Sequence, residues 1–152
     1  MQLINTAVAQ PDSSLPEVKL SVDRLTLAKR RWRGVAADGQ EFGFELDAPL
    51  RHGDCCWQAA ARYLIDQRPE SVVEISLEMT GAAAAGIGWA VGNLHLELSA
   101  EPTRLLAPDE PAVRQLLARL DVPYKPTTAI FRPGRFARGA RNTHELGPSH
   151  QH

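Results

Sequence analysis

The chain lacks most of what a covalent scaffold or a catalytic apparatus would need. Only two cysteines occur in 152 residues, and they are adjacent, Cys55 and Cys56. A disulfide needs Cα atoms about 4.4–6.8 Å apart in a compatible orientation, so sequence neighbours seldom pair. No Cys-x-x-Cys spacing occurs, which removes the zinc-knuckle and thioredoxin-like signals. Both thiols read as strand packing, the usual place of a free cysteine. An excess of one charge is also missing: 17 Lys and Arg stand against 18 Asp and Glu, a net charge of −1. That balance gives no global pull towards nucleic acid or an anionic membrane. No basic region followed by an apolar run opens the chain, and no long apolar run follows. The nearest, GAAAAGIGWAVG, is broken by glycines and too short to span a bilayer. The expectation is a cytoplasmic protein with neither nucleic acid nor membrane as partner. No P-loop, dinucleotide fingerprint or nucleophile–base constellation is present, so neither an enzyme nor a catalytic residue is expected.

What is present falls into two patterns. The first half reads as β-structure. Asp38-Gly39 lies between two strand-like runs and suits a type I′ hairpin turn. After it Phe42, Phe44 and Leu46 point one way, and Glu41, Gly43 and Glu45 the other. CCWQAAARYLIDQRP reads as two more short strands. The basic cluster Lys29 to Arg33, KRRWR, has the ingredients of a phosphate-and-stacking site. It stands alone in a neutral chain, and pairing across the hairpin with Glu41 and Glu45 on the solvated face explains it better.

Near Pro69 the pattern changes. SVVEISL suits a buried strand, and LEMTGAAAAGIGWAVGN has a helix-like composition. Gly81, Gly86 and Gly88 each cost about 1 kcal/mol against alanine in a helix, so their presence implies close approach of another backbone or a partner. NLHLELSA alternates as a strand would, with Leu94, Leu96 and Leu98 on one face and His95 and Glu97 on the other. TRLLA reads as the returning strand. In PDEPAVRQLLARLDV, Asp109 is the expected N-cap, Glu110 and Pro111 suit the first turn, and Val113, Leu116, Leu117 and Leu120 form one apolar stripe. YKPTTAIF closes the series as a strand. The order is β-α-β-β-α-β, the ferredoxin-like split arrangement. That order is shared by RNA-binding modules, but SVVEI and NLHLEL carry none of the sheet aromatics RNA recognition needs. The expected organisation is a β-domain over 1–68, an α/β domain over 69–131 and a flexible tail over 132–152.

Of five histidines, His144, His150 and His152 fall in the last nine residues; the others are His95, in GNLHLE, and His52, in the LRHGD turn and expected at the plain surface. Histidines in a short tail point to metal binding.

These segments, in this order, resemble the UreE-type urease accessory proteins, which are nickel metallochaperones. The resemblance is carried by LTLAKRRWRGVAADGQEFGFEL, LRHGD, IDQRPESVVEI, GNLHLEL, VRQLLARLDV and IFRPGRFARG. GNLHLEL looks like the family's Gly-Asn-x-His signature. The resemblance implies a chaperone peptide-binding-like amino-terminal β-domain and a ferredoxin-like domain that dimerises. It places His95 of each copy near the two-fold axis, holding nickel, with His144, His150 and His152 as candidate tail ligands. It further implies delivery to apo-urease through the GTPase UreG. Many members carry Arg where Leu94 stands and Pro where Glu97 stands, and some carry histidines where Asp109, Glu110 and Pro111 stand. Leu94 and Glu97 keep a second reading open, a peptide-binding or scaffold protein that has lost metal binding, and Asp109, Glu110 and Pro111 speak against an auxiliary surface metal site there.

The chemistry is compatible. Imidazole suits Ni²⁺ and also Zn²⁺ and Cu²⁺. One histidine per copy makes no site, but a two-fold axis doubles it. The 14 residues from Ile130 to His144 span up to about 46–50 Å extended, or roughly 21 Å as a flexible coil.

Overall fold

A computed structural model gives the fold. It describes residues 1–138 and 142–145, with side chains described through residue 134. The chain divides into two compact units, Met1–Arg68 and Pro69–His152.

The first unit holds two three-stranded sheets. In one, β1 (Gln2–Ile4) runs parallel to β4 (Glu41–Glu45), which pairs antiparallel with β3 (Arg31–Val35). In the other, β2 (Glu17–Val22) runs parallel to β6 (Arg62–Gln67), which pairs antiparallel with β5 (Cys55–Gln58). The predicted alternation sets the core: Phe42, Phe44 and Leu46 are buried while Glu41 and Glu45 are exposed. Trp32 stacks on Phe44 with ring centroids 3.8 Å apart, and Phe42 meets Tyr63 edge-on at 5.1 Å. Each such buried side chain contributes about 1.5–3 kcal/mol.

Three local expectations change. The Asp38-Gly39 turn is not type I′, which needs positive φ at both central residues. Of the two, only Gly39 has positive φ, at 89°. Gly39 N–H donates to Ala36 O and Ala36 N–H to Gln40 O, each at 2.9 Å. The loop therefore has three residues, a type I turn followed by a glycine bulge. It frees the Asp38 carboxylate to accept from Tyr63 Oη at 2.6 Å and from Gln40 N–H at 3.0 Å, and these bonds hold its pKa below the ordinary carboxylate value. Within the basic cluster, Arg31 pairs with Glu45 at 2.6 Å as expected, but Glu41 lies opposite Val35, and Arg33 opposite Gly43. Finally, a short helix, α1 (Arg24–Leu27), precedes β3, capped by Asp23 accepting from Thr26 N–H at 2.9 Å.

The second unit follows the predicted order: β7 (Glu70–Ser76), α2 (Gly81–Asn93), β8 (Ser99–Ala100), β9 (Arg104–Pro108), α3 (Pro111–Arg119) and β10 (Lys125–Ala129). The sheet order is β10-β7-β9-β8, so the strands joined by each helix are not adjacent, as the split arrangement requires. Val73 and Ile75 of β7 pack with Leu105 and Ala107 of β9 against Val91 of α2 and Val113 and Leu117 of α3. On the opposite face, Val72 and Leu106 are closed over by Phe131.

The structure corrects the reading in three places here. NLHLELSA is not a strand; only Ser99 and Ala100 pair. Leu94, Leu96 and Leu98 nevertheless pack against the core while His95 and Glu97 stay exposed, so the alternation reported burial without reporting hydrogen bonding. Asp109 does not cap α3. Glu110 holds the N-cap position with no side-chain bond, because Arg114 takes both Asp109 oxygens, at 2.6 and 2.9 Å. This ion pair lowers the Asp109 pKa. The tail expected from Arg132 instead continues the sheet: β11 (Arg135–Arg138) pairs parallel with β8, and β12 (Asn142–Glu145) pairs antiparallel with β11. The physical reason is the open edge of β8, where Gly134 N–H donates to Leu98 O at 2.9 Å and Phe136 comes opposite Ala100. Short polar strands on an existing edge need little apolar content, so composition does not reveal them.

A candidate metal centre at the end of the second helix

The helix α2 is thirteen residues of Gly, Ala, Ile, Trp, Val and Asn, without one charged side chain. Thr80 starts it, its Oγ1 accepting from Ala83 N–H at 3.1 Å. Only Ile87 and Val91 are buried. Ala82, Ala85, Gly86, Gly92 and Asn93 are exposed, and Trp89 is 73% exposed. A Cβ added at Gly86 or Gly92 would meet nothing within 4 Å, and one at Gly88 would touch only Leu98, at 3.5 Å. Within one copy, therefore, the exposed glycines are not explained by close packing.

His95 sits just past the end of this helix. Leu94 is the C-cap, and His95 N–H donates to Gly92 O at 2.9 Å. The His95 backbone is left-handed, with φ 58°. Glycine usually takes that position after a helix, since any Cβ there is strained. A strained residue with an exposed imidazole at a helix end is a candidate functional position.

The other predicted ligands are placed differently. His144 lies on β12, in register with Phe136 of β11. His150 and His152 lie outside the described residues. His52 is half-buried, and its Nδ1 accepts from Gln67 N–H at 3.0 Å, so it ties a turn to β6 rather than sitting as plain surface. Among the described residues, no group of three or more His, Cys, Asp and Glu is placed to hold a metal ion. Asp109, where some family members carry histidine, is committed to Arg114. Cys55 and Cys56 are both buried. A register shift between Cys55 and Trp57 interrupts the alternation that would turn one thiol outward. Burial pushes the Cys56 thiol up to about 12, which makes it a poor metal ligand. Among the residues whose side chains are described, the exposed histidine donors thus reduce to one imidazole per copy, which fits a metal only if other ligands come from a second copy or from residues beyond.

Comparison with known proteins settles the family. The family model "UreE urease accessory protein, C-terminal domain" matches residues 70–152, more than half the chain. The chain belongs to the UreE urease accessory protein family. The UreE of Rhodobacter capsulatus is 34% identical over 129 residues, covering 81% of this chain and 79% of the relative. That of Azorhizobium caulinodans is 26% identical over 154 residues, covering 99% and 73%. That of Beijerinckia indica is 30% identical over 133 residues, covering 84% and 75%. The family acts in urease maturation and is accessory, not enzymatic. No helix among the described residues is long and apolar enough to cross a membrane.

In this UreE chain the exposure of Trp89 is not evident from a helix composed mostly of small residues. The available signal was the absence of any charge from thirteen helical residues, which a solvent-facing helix seldom shows.

Proposed function

We propose that this UreE chain is a homodimeric nickel metallochaperone of the cytoplasm, which binds Ni²⁺ with the His95 of two copies and delivers it, with the GTPase UreG, to apo-urease. The observation that supports it most is the exposed His95 at the end of an uncharged, exposed helix face bearing Trp89. A large apolar side chain on such a face is characteristic of a protein–protein contact. In a two-fold pair the same patch faces itself, and a residue near the axis meets its own copy, so an uncharged face avoids like-charge contact. Pairing along α2 would bring two imidazoles towards one axis. His144 on β12, with His150 and His152, are the remaining candidate ligands, and a ligand set that releases the metal suits delivery better than storage. Imidazole ligands also accept Zn²⁺ and Cu²⁺, so the same site would take those ions in vitro.

Leu94 and Glu97, where many family members carry Arg and Pro, support a second reading, a peptide-binding or scaffold protein of the same fold without metal. Complementation separates the two. In a urease-positive host lacking its own UreE, the wild-type chain should restore urease activity at limiting nickel and His95→Ala should not. Equal restoration by both would favour the metal-free reading.

A further inference from the structure

We propose that the carbonyl end of α2 is itself part of the cation site, acting through the negative end of the helix dipole. The inference rests on the reading of His95 as a cation ligand. Aligned peptide dipoles leave roughly half a negative charge at a helix carboxyl end, and helices commonly neutralise it with Lys or Arg in the last turn. Among the described residues α3 does so, with Arg119 in its last turn. The longest of the described helices, α2, has no basic residue in its last turn. No basic side chain of the helix itself therefore offsets the negative potential at its end. His95 stands directly on that end. Its N–H is bonded to Gly92 O at 2.9 Å, and the Leu94 N–H to Val91 O at 3.1 Å. The left-handed backbone turns the chain away immediately after the last helical carbonyls, so no further helical turn shields them. A cation on the exposed imidazole would lie within the short range over which the dipole acts. The missing Lys or Arg is then a functional omission: a fixed positive charge there would stabilise the empty protein and compete with the metal.

Gly92 allows a direct test, because it is exposed, lies in the last turn, and has open space around the added Cβ. Gly92→Lys and Gly92→Gln have nearly equal helix propensity and similar reach, so their difference isolates the charge. The full chain of each is titrated with Ni²⁺, melted without metal, and checked for association by sedimentation. The lysine variant should bind Ni²⁺ about two- to fivefold more weakly than the glutamine variant. Without metal it should melt higher. These opposite signs are what a merely structural role would not produce. Equal affinity and equal melting of the two variants would overturn the proposal, as would a lysine variant that is lower in both. Should either substitution at Gly92 dissociate the dimer, the same pair at exposed Asn93 carries the comparison. His95→Ala run alongside separates the two levels: if it leaves the Ni²⁺ titration unchanged, the reading of His95 fails rather than the role of the helix end.

Discussion

Replacing His95 with glycine should leave the metal-free protein more stable than replacing it with alanine, although both substitutions delete the proposed ligand. The left-handed conformation at φ 58° costs a residue with a Cβ roughly 1–2 kcal/mol. Histidine is among the residues that tolerate this region better, so the cost lies near the lower end. Glycine removes it but brings back roughly 0.5–1 kcal/mol of backbone entropy in the unfolded chain. Alanine is the control, since it deletes the imidazole and keeps the strain. The expected gain of His95→Gly over His95→Ala is about 0.5–1 kcal/mol. For a unit of this size that corresponds to roughly 3–6 °C in melting temperature. Circular dichroism melts of the two variants with chelator present give the comparison. Equal melting temperatures, or a lower one for glycine, would refute the strain at His95 and with it the argument that a ligand is held where glycine belongs.

Two further outcomes follow from the geometry. Trp89→Glu should convert a dimer into a monomer in sedimentation velocity, because an unpaired carboxylate would be buried in an apolar contact, whereas His95→Ala should remain dimeric. A dimer that survives Trp89→Glu would move the contact away from α2. Cys55 and Cys56 should not react with a thiol reagent at pH 8 in the native protein and should both react in denaturant. The Cys56 pKa is raised by folding, so its contribution to stability is complete below the unfolded value of 9.0 and is lost as pH rises towards about 12. Rapid labelling of the native chain would show that the β5 bulge leaves a thiol exposed.

Much of the second unit is legible because periodicity and burial agree there. The Val113, Leu116 and Leu117 stripe is buried as its spacing requires, and Val73 and Ile75 fill the centre of the sheet. Leu120 belongs to the same stripe but lies 43% exposed, since the helix stops at Arg119 and Asp121 turns left-handed. The stretch around His95 reads less well. Leu94, Leu96 and Leu98 alternate like a strand, yet a chain leaving a helix end can bury every second residue with no partner strand beside it. Asp109 shows the limit of capping rules, because an arginine five residues on competed for the same carboxylate. The β11–β12 hairpin was hidden because its pairing is made by backbone groups at the edge of β8, which composition does not report. His95 itself came from family resemblance, and its strained backbone and uncharged helical neighbour came only with the structure.

The central claim is that two His95 side chains share one nickel ion, and isothermal titration of the metal-free dimer with Ni²⁺ tests it most directly. The account predicts a tightest step at about one ion per two chains, absent from His95→Ala while that variant keeps its fold and its dimer. A wild-type titration curve retained by His95→Ala would contradict it and leave His95 as an exposed residue at the end of a helix.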